Sequence, residues 1–196
     1  MQPLTVKDLW PAPLYEGVRD QFRREVIAAK QHRRVHVGPF ITLVFENRLT
    51  VKFQVQEILR AERVISPEGV AEELDGFNGM LPAPGELSAT LMVELTGSEP
   101  EVAAELRKLI GLSKHLFLEF GGVRVQARFD PGREDGHRIS AVQYVRFPMA
   151  SAARVLSDLS RPAHLVVDHP HYQHRTALPE GVRWSLAADL EEMGPT

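Results

Sequence analysis

Cysteine is absent from this 196-residue chain. That one gap excludes disulfides, thiol nucleophiles, thiolate zinc sites and Cys-ligated iron–sulfur clusters together, so any metal has to sit on histidine and carboxylate. Aromatics are sparse: Trp 2 and Tyr 3 leave few rings for a base-stacking platform. Lys+Arg 23 against Asp+Glu 26 gives a formal net charge of -3, which provides no global basic field for nucleic acid. No run approaches the roughly 18 apolar residues of a membrane span, and MQPLTVKDLWP lacks the order of a signal peptide. The expected location is the cytoplasm, with no membrane or nucleic-acid partner. Also missing are a Gly-x-Ser-x-Gly elbow, a phosphate-binding loop ending in Lys-Ser/Thr, a Gly-x-Gly-x-x-Gly fingerprint and a His-Glu-x-x-His helix.

What is present suits one well-buried core: 43% of residues are hydrophobic and 25% charged, which predicts a single domain over residues 1–196. Apolar residues at Val18, Phe22, Val26 and Ile27 recur at helical spacing and predict a helix from about Leu14 to Gln31. Its end, Gln31-His32-Arg33-Arg34, reads as solvated charge complementing the helix dipole. VHVGPFITLVF reads as strand broken at Gly38-Pro39. TVKFQVQEILRAERVI reads as a strand passing into a helix near Gln56, and Ser66-Pro67 opens a short helix to about Leu74. ELSATLMVEL suits a strand, and Ser98 with Glu101 forms a capping box for the next helix. HLFLEF and VRVQARF flank Gly121-Gly122 as a hairpin. RISAVQYVRF is a further strand, ASAARVLSDL a helix, AHLVVD a short buried strand, and LPEGVRWSLAADLEE a closing helix. Strands and helices interspersed in this way predict an α+β fold with a mainly antiparallel sheet and several packed helices.

Two stretches carry candidate chemistry. VDHPHYQHR holds three histidines; if it is extended, His169 and His171 face one way and can reach one metal, with His174 added by a bend. Zinc, iron or manganese are the candidate cofactors. The competing reading is a polar loop of locally hydrogen-bonded histidines, or one imidazole acting alone as acid–base. The second stretch is FENRLTVKFQVQEILRAER. On a helix, Gln56, Arg60 and Arg63 share a face that offers guanidinium forks to a carboxylate or phosphate, with Glu46, Arg48 and Glu57 beside them. The bland alternative is a helix laced with its own ion pairs.

The segments FENRLTVKFQVQEILRAERV, LPAPGELSATLMVEL, ISAVQYVRF and VDHPHY, in that order, resemble an uncharacterised bacterial family, domain of unknown function 3501, over nearly the full length. His169 and Tyr172 fall on the shared DHP-x-Y pattern; His171 and His174 do not. The resemblance carries over no catalytic residues. It implies an association with rubrerythrin-like proteins and iron–sulfur or flavin-linked oxidoreductases. The expectation is therefore an accessory protein of a redox or peroxide-handling system. It would bind a redox partner protein or small anionic ligand through Glu46, Arg48, Gln56, Glu57, Arg60, Arg63, His169 and Tyr172. The rival is a mononuclear metal-dependent enzyme, with a carboxylate such as Glu57 or Glu62 completing a histidine site. A purely structural subunit is the third possibility. Oligomeric state is not legible.

Overall fold

A computed structural model describes residues 1–149, 156 and 158–192. Most of ASAARVLSDL, expected as a helix, lies outside the described residues. The first strands follow from β-branched alternation: β1 (Arg34–Val37) and β2 (Ile41–Phe45) form a hairpin. The next element corrects the sequence reading. Residues Arg48–Ala61 are one helix, α2, with no strand before Gln56. Asn47 decides it: its Oδ1 accepts from the Thr50 N–H at 3.1 Å while the Thr50 hydroxyl accepts from the Asn47 N–H at 3.0 Å. That reciprocal cap starts the helix at Arg48, and Val51 and Val55, one turn apart, are then both fully buried.

Before these stands α1 (Ala12–Gln31). After them come α3 (Pro67–Asn78), one turn longer than expected, β3 (Glu86–Val93) and α4 (Glu99–Lys108). The Gly121-Gly122 hairpin forms as expected from β4 (Leu116–Phe120) and β5 (Val123–Gln126). The chain then bends at buried Ala127 into β6 (Arg128–Phe129), which belongs to the other sheet. β7 (Val142–Pro148), β8 (Ala163–His169), β9 (Tyr172–Ala177) and α5 (Glu180–Glu192) complete the described elements. β9 is a second correction, because the histidine stretch is a hairpin and not a loop.

The strands make two antiparallel sheets, ordered β1-β2-β3-β7-β6 and β5-β4-β8-β9. The result is an α+β fold. Alternation sends Leu43, Leu87, Leu91 and Phe147 of one sheet and Leu118, Phe120, Leu165 and Val167 of the other into one shared core, which Val182, Leu186 and Leu190 of α5 enter as well. Each fully buried Leu or Phe contributes roughly 1.5–3 kcal/mol through burial. The outer face of the five-stranded sheet receives α2 and α3 through Val51, Val55 and Leu74 against Tyr144. Helix α1 packs outside α2 through Tyr15, Phe22 and Val26.

The end of α1 is a third correction. Arg33 is not solvated surface but 2% exposed, and it pairs with Asp189 of α5.

Candidate functional site

The histidine stretch turns at Pro170 and His171 between two paired strands, with His169 opposite Tyr172 in the register. His169 faces inward and is 3% exposed. Its Nε2 lies 3.0 Å from the Ile110 carbonyl and its Nδ1 accepts the His171 N–H at 3.2 Å. One nitrogen donates and the other accepts, which describes a neutral imidazole with both positions used. His174 lies on β9 with its ring 4.4 Å from that of Tyr172. Among the described residues no three His, Asp or Glu side chains stand where they could hold a metal ion, so the structure does not assemble His169, His171 and His174 into the expected ligand set. The extended His-x-His geometry fails at the hairpin turn.

Tyr172 is also a core residue. Its hydroxyl accepts the Phe40 and Ile41 N–H groups, each at 3.3 Å, and donates to the Val37 carbonyl. It thereby ties β9 to the β1–β2 turn and joins the outermost strands of the two sheets. Burial raises the Tyr172 phenol above its ordinary pKa, against the two N–H groups it accepts.

The second stretch is brought together on α2, but its groups face the protein's own chain. Gln56 is buried, accepting the Trp10 N–H at 2.7 Å and donating to the Trp10 carbonyl. Arg48 reaches Asp8 at 2.7 Å and the Pro3 carbonyl at 2.8 Å. Arg60 pairs with Glu16 at 2.7 Å. Glu57 receives Arg19 at 2.7 and 2.8 Å and the Tyr15 hydroxyl at 2.7 Å. Arg63 lies just past the helix in the left-handed region, φ 53, and is exposed. The expected guanidinium face is therefore mostly the clasp between α2, α1 and the N-terminal segment.

The hydrogen-bonded Arg19 guanidinium, aided by Tyr15 and opposed by burial, holds Glu57 below the ordinary glutamate value of 4.5. A lowered folded-state pKa contributes stability above the unfolded value and loses it as pH falls through the folded one. Glu57→Gln is expected to cost about 1 kcal/mol at pH 7. Urea unfolding at pH 7 and pH 3.5 checks this: the two proteins should differ at the first pH and converge at the second.

A constellation not anticipated from the sequence runs across the outer face of the four-stranded sheet. His115 Nδ1 lies 3.0 Å from Asp168 Oδ1, and the other oxygen of Asp168 receives Arg124. Arg124 also reaches Glu119 at 3.3 Å, and Glu119 is held by Arg175 at 3.3 Å. The Arg124 guanidinium stacks 3.8 Å from the centre of the Phe117 ring. Partial burial opposes ionisation of Asp168, but the bonds from His115 and Arg124 outweigh it and hold the carboxyl below the usual aspartate range. With Nδ1 of His115 turned to Asp168, its Nε2 is left as the second polar position of a ring one-third exposed. The Glu119–Arg124 pair was legible: each stands two residues from the Gly121-Gly122 turn, so a hairpin places them opposite. The links to Asp168 and Arg175 come from strands more than forty residues away.

No helix among the described residues is long and apolar enough to cross a membrane. No curated protein matches the sequence. The chain is similar to a crystal structure from Burkholderia pseudomallei described as a novel protein of unknown function, with 31% identity and a TM-score of 0.88, covering 96% of this chain and 100% of the other. Residues 3–190 match the family described as protein of unknown function (DUF3501). With that match spanning both sheets and all five helices, the chain belongs to the DUF3501 family.

Proposed function

We propose that this protein is a cytoplasmic accessory component of a redox or peroxide-handling system that works by docking a partner protein. The observation that carries this reading is the outer face of the four-stranded sheet, which presents the belt His115, Asp168, Arg124, Glu119 and Arg175 around Phe117. Arginine stacked on an aromatic ring is a pairing common at interface anchor points. Oppositely charged groups that pair with one another in the free protein can exchange those partners for complementary ones on a docked surface, which favours specificity and encounter rate more than affinity. The α2 face is the weaker candidate, because its guanidinium groups are already bound within the chain.

Calorimetric titration against a purified rubrerythrin-type protein and an iron–sulfur or flavin-linked oxidoreductase from the same cell tests the proposal. Saturable binding to one of them is expected, weakened about tenfold or more by Arg124→Glu. Absence of binding to every such partner, or equal affinity for the variant, would overturn it. The rival reading, a mononuclear His/carboxylate enzyme, predicts near-stoichiometric zinc, iron or manganese that is lost in a His169→Ala/His171→Ala double variant.

A further inference from the structure

A different place carries an inference independent of partner docking. Glu46 follows β2, with its N–H donating to the Ser88 carbonyl at 2.9 Å. Its side chain is held on the outer face of the five-stranded sheet, under α2. The residue is 4% exposed. Oε2 accepts from the Thr50 hydroxyl at 2.5 Å and the Gln54 amide at 3.1 Å, and Oε1 accepts from the Thr90 hydroxyl at 2.7 Å. All of these donors are neutral. The nearby guanidinium groups are committed elsewhere: Arg33 to Asp189, and Arg146 to Glu86, Asp130 and the Leu81 and Gly79 carbonyls. Among the described residues no basic side chain pairs with this carboxylate.

An isolated buried carboxylate is costly unless its charge is met. A cleft of about 190 Å³ opens beside it, lined by Glu46, Met80, Ser88, Thr90, Tyr144 and Arg146. The centre of a water-sized sphere has about 10 Å³ in which to move there, which is room for one such species. A substrate or metabolite does not fit. The remaining acceptor capacity of Oε1, with the Thr90 oxygen next to it, makes a hard-oxygen environment of the kind that alkali and ammonium ions take.

We infer that the Glu46 cleft binds one monovalent cation of water size, potassium or ammonium, which supplies the countercharge the chain does not. The occupant is set by charge and by space: a divalent ion would require more carboxylates than the single one present, and a larger amine would not enter.

Thermal unfolding at fixed ionic strength tests this, with potassium chloride or ammonium chloride replacing tetramethylammonium chloride, whose cation is too large for the cleft. A ligand that binds only the folded state at roughly ten times its Kd should raise Tm by about 3–5 °C. The rise should vanish in Glu46→Gln, and the salt giving the larger rise identifies the ion. Equal Tm in all three salts, or an undiminished rise in Glu46→Gln, overturns the inference. Should that variant fail to fold, crystals of the unaltered protein soaked in thallium(I) give the same decision. An anomalous peak beside Glu46 Oε1 supports the site, and a water without anomalous signal there refutes it.

Discussion

Arg33→Ala will lose about 3–5 kcal/mol of stability, enough to remove a large part of what holds a domain of this size folded. The guanidinium fork binds four groups at once. Nε donates to the Phe45 carbonyl at 2.8 Å, one terminal nitrogen to Ser185 Oγ at 2.8 Å, and the other to the Glu46 carbonyl at 3.1 Å and to Asp189. It thus connects the end of α1, the exit of β2 and the outer turn of α5. Truncation leaves Asp189, 6% exposed, as an uncompensated buried charge and orphans two main-chain acceptors. Burial pushes the Asp189 carboxyl above the ordinary aspartate value, against the pull of Arg33, so the pair does not fully recover its desolvation. An apolar pair should therefore do better than half a pair: Arg33→Met/Asp189→Leu is expected to be more stable than Arg33→Met alone. Urea denaturation of the four proteins completes the double-mutant cycle. Near-additive losses would mean that the main-chain bonds, not the charge pair, dominate.

Sequence patterning located most of the fold because most of its elements obey local rules. The β4–β5 hairpin follows from alternating residues around Gly121-Gly122, and α3 and α4 from Ser66-Pro67 and from Ser98 with Glu101. The α2 misreading had a local cause: Val51, Phe53 and Val55 fit period two as well as Val51 and Val55 fit the helical period, and the Asn47–Thr50 cap that settles the matter carries no Glu or Gln to announce it. The site was less legible because each candidate group was given its role by something distant. Arg33 meets Asp189, 156 residues on; Gln56 meets Trp10, and Glu57 meets Tyr15 and Arg19. Identity and spacing showed that these groups carry charge and hydrogen-bonding capacity. They did not show that the capacity is spent within the chain. His169 is the sharpest instance, since both nitrogens that made it a candidate ligand are bonded within 3.2 Å.

Gly38→Ala is expected to cost about 3 kcal/mol or more, and the reason explains where His174 and Tyr172 belong. Gly38 turns the chain between β1 and β2 with φ +71, a region that an L side chain enters at a cost of roughly 1–2 kcal/mol. A Cβ there would lie 2.5 Å from the Tyr172 hydroxyl oxygen and 2.5 Å from the His174 ring, so one of them has to move. The histidine ring can swing outward from β9. The tyrosine cannot do so cheaply, because its hydroxyl serves two N–H groups and one carbonyl of the same turn, and displacing it leaves all three without a partner. This predicts an asymmetric rescue. Adding His174→Ala to Gly38→Ala should recover only the smaller share of the loss, whereas Tyr172→Phe alone should already cost about 1–3 kcal/mol. Thermal and urea unfolding of the three variants separates the contributions. Full rescue by His174→Ala would show that the ring, and not the Tyr172 latch across the two sheets, sets the limit on this turn.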